Sequence, residues 1–134
     1  LSRLERFEGL AILSTNLRQN IDQAFTRRLE FILEFEKPDR DQRLALWQCH
    51  IPNTEILAAD VNLSVLASQY PLVGGLIRNA AVAAAFLAAA DHQKSTDKES
   101  FGKITQAHFV RAIKREYEKT GQPFPGLPPG LTGI

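Results

Sequence analysis

The spacing of the hydrophobic residues changes at Lys37-Pro38-Asp39, and this change constrains the fold most strongly. Before it, Leu10-Ala11-Ile12-Leu13 is a short continuous apolar run, and residues 29–35 carry apolar side chains at every second position. Both patterns are typical of β-strands. After it, apolar residues recur at helical spacing. We therefore predict a mostly α-helical chain that begins with two strands of a sheet.

Start and stop signals divide the second part of the chain into helices. Asp39 followed by Gln42 is typical of a capping box, and Pro71 ends a short helix. The helices predicted after the break begin at Asp39 and run to about residue 51, and then cover 64–70, 76–92 and 105–119. The remaining predictions are helical segments over 1–7 and 22–28, a polar loop over 91–102, and a Pro/Gly-rich tail over 121–133 that is extended or disordered.

Composition excludes several classes of protein. Sixteen basic residues are offset by fifteen acidic ones, so we do not expect nucleic acid as a partner. Cys49 is the single cysteine and cannot form an internal disulfide, which favours a cytoplasmic protein. The longest apolar stretch, 80–90, is shorter than the roughly 20 residues that a membrane-spanning helix needs. The three histidines are too scattered along the chain to indicate a metal site.

Several motifs occur in an order that points to one family. They are Leu13-Ser14-Thr15-Asn16, the stretch from Asn20-Ile21-Asp22 to Arg27-Arg28, Phe35-Glu36-Lys37-Pro38-Asp39, and Gly74-Gly75-Leu76-Ile77-Arg78-Asn79. Over residues 1–118 the chain resembles the C-terminal part of an AAA ATPase module. The resemblance implies the C-terminal end of a P-loop α/β core with two strands over 1–38, a helical lid domain over 39–120, and a tail over 121–134.

The resemblance implies catalytic roles for three residues. Asn16 corresponds to the sensor 1 asparagine, whose amide contacts the γ-phosphate and helps to position the attacking water. Arg28 corresponds to the arginine finger that reaches the nucleotide of a neighbouring subunit, with Arg27 as the alternate. Relatives often carry a second arginine where this chain has Phe31. Without the resemblance, Asn16 is a turn residue at a strand end, and the two arginines are surface residues at a helix end.

The lid motifs imply contacts to the nucleotide. Gly74 and Gly75 lie where the lid backbone closes over adenine, since a side chain there would hold the base away. His50 lies where relatives place a histidine close to the ribose and base, and Arg78 lies near the sensor 2 arginine that reaches the phosphates. The alternative is a helix that starts at two glycines and a partly exposed histidine at a helix end.

The chain contains no Gly-x-x-x-x-Gly-Lys-Ser/Thr motif. The resemblance therefore implies that the P-loop and the acid that holds Mg²⁺ precede Leu1 in a longer parent. That parent binds ATP or ADP with Mg²⁺, whereas this chain alone is expected to bind no nucleotide and to be inactive. Lacking the P-loop strand as their shared neighbour, the two predicted strands are expected to pair with each other, to pair across a dimer, or to be poorly ordered.

The resemblance implies an ATPase that assembles into a ring, expected to be a hexamer, and remodels a protein or other macromolecular client. Lid rotation about Lys37-Pro38-Asp39 would transmit the nucleotide state. A non-catalytic helical interaction module with an AAA-like lid is the alternative from another class. A DNA-directed AAA+ protein ranks last, because a Pro/Gly tail follows the lid in place of a basic winged helix.

Overall fold

The computed structural model describes residues 6–96 and 102–134, apart from the side chain of Arg18. The chain divides into two compact units, Leu1–Glu36 and Lys37–Ile134. Most of the predicted helix over 1–7 lies outside the described residues, and so does the second half of the predicted loop over 91–102.

The N-terminal unit contains two short helical segments. Arg18–Asn20 forms a 3₁₀ turn, and helix α1 covers Gln23–Thr26. Asp22 caps α1, because its carboxylate accepts a hydrogen bond of 3.1 Å from the backbone N–H of Ala24. The prediction that Asp22 starts a short helix is therefore confirmed.

The prediction of two strands is wrong for this unit, in which residues 6–36 contain no strand. Residues 10–13 and 29–35 lack regular secondary structure, and the side chains that would cover a sheet are exposed. Leu10 and Phe31 are 84% exposed and Phe35 is 94% exposed. A strand is stable only when its N–H and C=O groups pair with a neighbouring strand, and no described segment pairs with either run. Of the three expected outcomes, pairing of the two runs with each other is wrong, and the other two stay predictions.

The second unit is helical. Helix α2 covers Arg40–His50, α3 Leu63–Gln69, α4 Gly74–Lys94 and α5 Gln106–Thr120, and Thr54–Ile56 forms a 3₁₀ turn. All four predicted helices are present, and α4 continues through Lys94 into the predicted polar loop. The capping box at Asp39 is confirmed, since its carboxylate and the Gln42 side chain satisfy each other's backbone N–H.

The core of this unit lies between α2, α3, α4 and α5. Trp47 and Phe109 are fully buried, with ring centroids 5.7 Å apart in an edge-to-face arrangement. Ala80, Ala84 and Ala88 line the buried side of α4, where small side chains allow neighbouring helices to pack closely. One face of the alanine-rich stretch is thus a packing surface.

Two sets of hydrogen bonds join the start of α5 to the residues before α3. Ala58 N donates to Ile104 O at 2.9 Å, and Ile104 N donates to Ile56 O at 2.8 Å. The buried Gln106 side chain bonds both backbone groups of Asn62, at 3.0 Å through Oε1 and 3.2 Å through Nε2. These bonds fix the starts of α3 and α5 relative to each other.

The Pro/Gly-rich tail has no regular secondary structure, but it packs against the helices. Phe124 and Leu131 contact the core, and Pro128 is buried. Of the two expected states of the tail, extended or disordered, the structure has the extended one. Among the described residues no helix is long and apolar enough to cross a membrane.

Candidate functional site

Helix α4 begins without a side-chain cap. Its N-cap residue, Val73, offers only its carbonyl, which accepts from Leu76 N at 3.0 Å and Ile77 N at 3.1 Å. No acidic side chain lies in the first turn. Gly74 and Gly75 therefore form the positive end of a 21-residue helix. No side-chain carboxylate or hydroxyl of the N-cap or first turn compensates the charge of that end. Such an end can accept an anion.

The space around these glycines differs between the two positions. A Cβ atom at Gly75 would meet nothing within 4 Å, so its backbone is open to an approaching molecule. A Cβ at Gly74 would lie 3.7 Å from Leu46 Cδ1, which is an ordinary contact. Arg78 follows one turn later and is exposed. The structure thus brings the two glycines and Arg78 together at one helix end.

His50 belongs to α2, the helix that packs against α4. It is the last residue of α2 and is partly buried, one turn after Leu46, the residue that Gly74 faces. Gly74, Gly75 and Arg78 thus lie in the first two turns of α4, and His50 lies at the end of the packed helix α2.

Asn16, Arg27 and Arg28 belong to the N-terminal unit and are all exposed. Asn16 lies at a bend after Thr15, whose hydroxyl accepts from Leu17 N at 3.0 Å, and not at the end of a strand as predicted. Arg27 caps the C-terminal end of α1, with its N–H bonded to Gln23 O at 3.2 Å. The catalytic roles of these three residues remain predictions.

Arg43 of α2 makes two contacts that the sequence does not predict. Its Nε donates to Ala67 O at 2.8 Å, which joins α2 to α3. Its NH1 donates to Pro38 O at 2.9 Å, which holds the junction at which lid rotation is expected. The sequence offers no signal for this double contact, because its two acceptors are backbone carbonyls 5 and 24 residues away.

No family model matches the chain. Over 95 residues the chain is 35% identical to the ATP-dependent zinc metalloprotease FtsH of Chlorobium luteolum. The similarity supports membership of the AAA ATPase family. The match covers 69% of this chain but 13% of the relative, so the activities of a whole AAA protein are proposals for this chain.

The name of this AAA relative includes zinc, but the described residues offer no comparable donor set. Within 6–96 and 102–134, no three His, Cys, Asp or Glu side chains are grouped so that they could hold a metal ion. Cys49 is exposed on α2.

Asp91 of α4 forms a cluster of ionisable side chains that lies away from the two glycines. Asp91 Oδ2 lies 2.9 Å from His108 Nε2 and 3.2 Å from Arg111 NH1, and the bond from His108 is the main reason that the pKa of Asp91 is lowered. His108 Nδ1 accepts from Thr105 N at 3.0 Å, so the ring also caps α5. Asp91 lies 17 residues after Gly74, or about 25 Å along the axis of α4. The cluster stabilises the α4–α5 contact and is separate from the candidate site.

Proposed function

We propose that this chain is the sensor 1, arginine-finger and lid portion of an AAA ATPase. In a longer parent it would couple ATP binding and hydrolysis to the remodelling of a protein or other macromolecular client. The observation that carries the proposal is the match of 35% identity over 95 residues to an ATP-dependent relative. The helical unit, which has the expected order of helices, supports it. The parent would act as a ring of subunits, expected to be a hexamer.

The residues at the start of α4 fit a bound nucleotide. ATP or ADP with Mg²⁺ would supply the phosphates, their negative charge and the scissile bond. The uncapped helix end and the exposed Arg78 have the charge that suits a phosphate, and the open backbone at Gly75 leaves room for a flat base. His50, at the end of the packed helix α2, would contact the ribose or base.

Two residues of the N-terminal unit would complete the catalytic set. Asn16 would position the attacking water and contact the γ-phosphate in its own subunit, because an amide both donates and accepts hydrogen bonds. Arg28 would stabilise the transferring phosphoryl group in the neighbouring subunit, with Arg27 as the alternate. The contact of Arg43 with Pro38 would carry lid movements to the junction at residue 38.

The decisive experiment is steady-state ATP turnover of the intact parent carrying Arg28→Ala. A finger of this type contributes about 10³-fold or more to the rate, so turnover should fall by that order while nucleotide binding is retained. Arg115→Ala is the matched control, because Arg115 is an exposed arginine of α5 to which no role is assigned. Wild-type subunits mixed into the same rings should restore turnover.

Unchanged turnover with Arg28→Ala and with Arg27→Ala would contradict the proposal and favour the non-catalytic interaction module. Gly75→Ala tests the lid half independently. Alanine fits the open space there and suits a helix better than glycine does, so the fold should be unharmed. A weaker affinity of the parent for nucleotide would then come from the lost approach to the backbone. Unchanged affinity would exclude this glycine from the site.

A further inference from the structure

The end of the chain follows an extended path across the helical unit. Residues 122–131, here called the tail segment, have the sequence Gln-Pro-Phe-Pro-Gly-Leu-Pro-Pro-Gly-Leu. The prolines hold the backbone in extended conformations and remove N–H donors. Within the segment, Leu131 N donates a hydrogen bond of 3.2 Å to Pro128 O. The segment therefore depends on contacts with the helices for its position.

These contacts centre on an aromatic surface. The tail groove consists of Gln69 and Tyr70 at the end of α3 together with Tyr117 of α5. Phe124 stacks on Tyr70, with ring centroids 5.6 Å apart and planes 13° apart. The same ring meets Tyr117 edge-on at 5.9 Å and 71°. Phe124 is thus held on two sides by tyrosine rings that belong to different helices.

Polar contacts fix the register of the tail segment. Gly126 O accepts from Tyr70 Oη at 2.8 Å and from Gln69 Nε2 at 3.1 Å. Gly126 has a φ of +101°, a conformation that side chains disfavour, so this carbonyl orientation requires glycine. Beyond it, Pro128 is buried and Leu131 contacts the core. The groove therefore contacts an aromatic ring and, two residues later, a glycine carbonyl of the tail segment.

This chemistry is that of a peptide-binding surface. Proline-rich segments bind grooves lined by aromatic rings because their extended form is already populated before binding and little conformational entropy is lost. Tyrosine hydroxyls donate to the carbonyls that such segments leave unpaired. Tyr70 is fully buried between the helices and the tail segment, so the segment covers a surface that would otherwise expose two aromatic rings.

The connection between α5 and the tail segment is short. Gly121 ends α5 with a φ of +67°, and its N–H bonds to Glu118 O while Gln122 N bonds to Tyr117 O at 3.2 Å. A change at this one glycine would redirect the whole segment without altering either the groove or the contacts that the segment makes. Short hinges of this kind allow identical segments to be exchanged between copies at low cost.

We propose that the tail groove also binds the tail segment of a second copy of this chain, as an extended segment with an aromatic residue, proline and glycine. The exchanged segment would make the same contacts as the chain's own segment, namely the Phe124 stack and the Gly126 hydrogen bonds. The proposal does not depend on the chain being part of an AAA ATPase. A short connection gives the chain's own segment an effective concentration in the millimolar range, so exchange requires a crowded assembly.

A fluorescent peptide of residues 121–132 tests the groove, with anisotropy as the measurement and the full chain as the receptor. Phe124→Ala weakens the internal competitor, so the peptide should bind this variant at least about tenfold more tightly than the wild type. Adding Tyr70→Phe removes the donor to Gly126 and should weaken binding by about threefold to tenfold. Phe86→Ala, at an exposed phenylalanine of α4, is the matched control and should behave as the wild type.

Gly126→Ala provides a second way to weaken the internal segment, because alanine disfavours the φ of +101°. Absence of binding to both weakened variants, with both still folded by circular dichroism, would overturn the peptide site. Equal binding of a scrambled peptide would also overturn it. Light scattering of the wild type up to the millimolar range should detect a dimer that Phe124→Ala abolishes. A wild-type chain that stays monomeric there would overturn exchange between copies.

Discussion

The two units of this molecule contain similar apolar side chains, but the helical unit buries them and the N-terminal unit leaves them exposed. In the helical unit, Trp47 and Phe109 have no exposed surface. In the N-terminal unit, Phe31 and Phe35 are almost fully exposed. A helix satisfies its own backbone groups and can then bury one face against other helices, whereas a strand must first find a neighbouring strand. Apolar content alone therefore does not determine whether a segment forms a core.

The two halves of the candidate site differ in how firmly the structure positions their residues. The residues of the lid half, from His50 to Arg78, are held by two packed helices whose ends are defined. Asn16 follows the first apolar run and Arg28 precedes the second, and neither run forms the strand that the resemblance predicts. A strand partner from a longer parent would give those two residues a fixed position, since strand ends in a sheet are held by pairing on both sides.

The largest expected contrast is between two phenylalanines. Phe109→Ala should lower the free energy of unfolding of the helical unit by about 3–5 kcal/mol, because it removes a fully buried ring that packs on Trp47. Phe35→Ala should change it by less than about 0.5 kcal/mol, because that ring is 94% exposed. Urea unfolding followed by circular dichroism measures both. Equal losses would mean that the N-terminal unit contributes to the core.

A smaller contrast is expected at alkaline pH. Burial, and then the neighbouring Tyr117, raise the pKa of Tyr70 to about 12 from its ordinary value near 10. Because the unfolded chain releases this proton more readily, the contribution to stability is complete below about pH 10 and is lost as the pH rises toward 12. Both tyrosines belong to the helical unit, so the alkaline loss should be confined to it.

Thermal melts of the wild type and of Tyr70→Phe between pH 9 and 12 measure this effect. Phenylalanine keeps the stack on Phe124 but cannot ionise, so the variant should show a flatter profile with a contribution from Tyr117 alone, whose pKa is also raised by burial. A profile of the variant that is as steep as that of the wild type would contradict the assignment to Tyr70.

The smallest expected effect compares two aspartate caps. Asp39→Ala should cost about 1 kcal/mol, because it removes one half of the capping box of α2 in the packed unit. Asp22→Ala removes the same kind of bond from α1, which has four residues and no buried side chain, and should leave the measured stability unchanged. Chemical denaturation of the two variants side by side provides the test. A larger loss for Asp22→Ala would reverse the ranking of the two units.

Local sequence signals predicted the helices well because each depends on neighbouring residues. Asp39 with Gln42, Pro71 after the third helix and Gly121 after the last all act within one turn, and all are present at helix ends. The tail was harder to predict, because its position depends on contacts of Phe124 with two tyrosines. Tyr70 lies far from Phe124 in sequence, and Tyr117 lies on α5.

The sequence by itself determined the helix order, the caps and the place of Gly74 and Gly75 at a helix start, because these follow from short-range hydrogen bonding and periodicity. Only the tertiary structure decided that the two apolar runs stay unpaired, that Arg43 holds Pro38, and that the tail packs on two tyrosines. Each of these depends on whether a distant partner is present, and a partner of that kind leaves no mark in the local pattern.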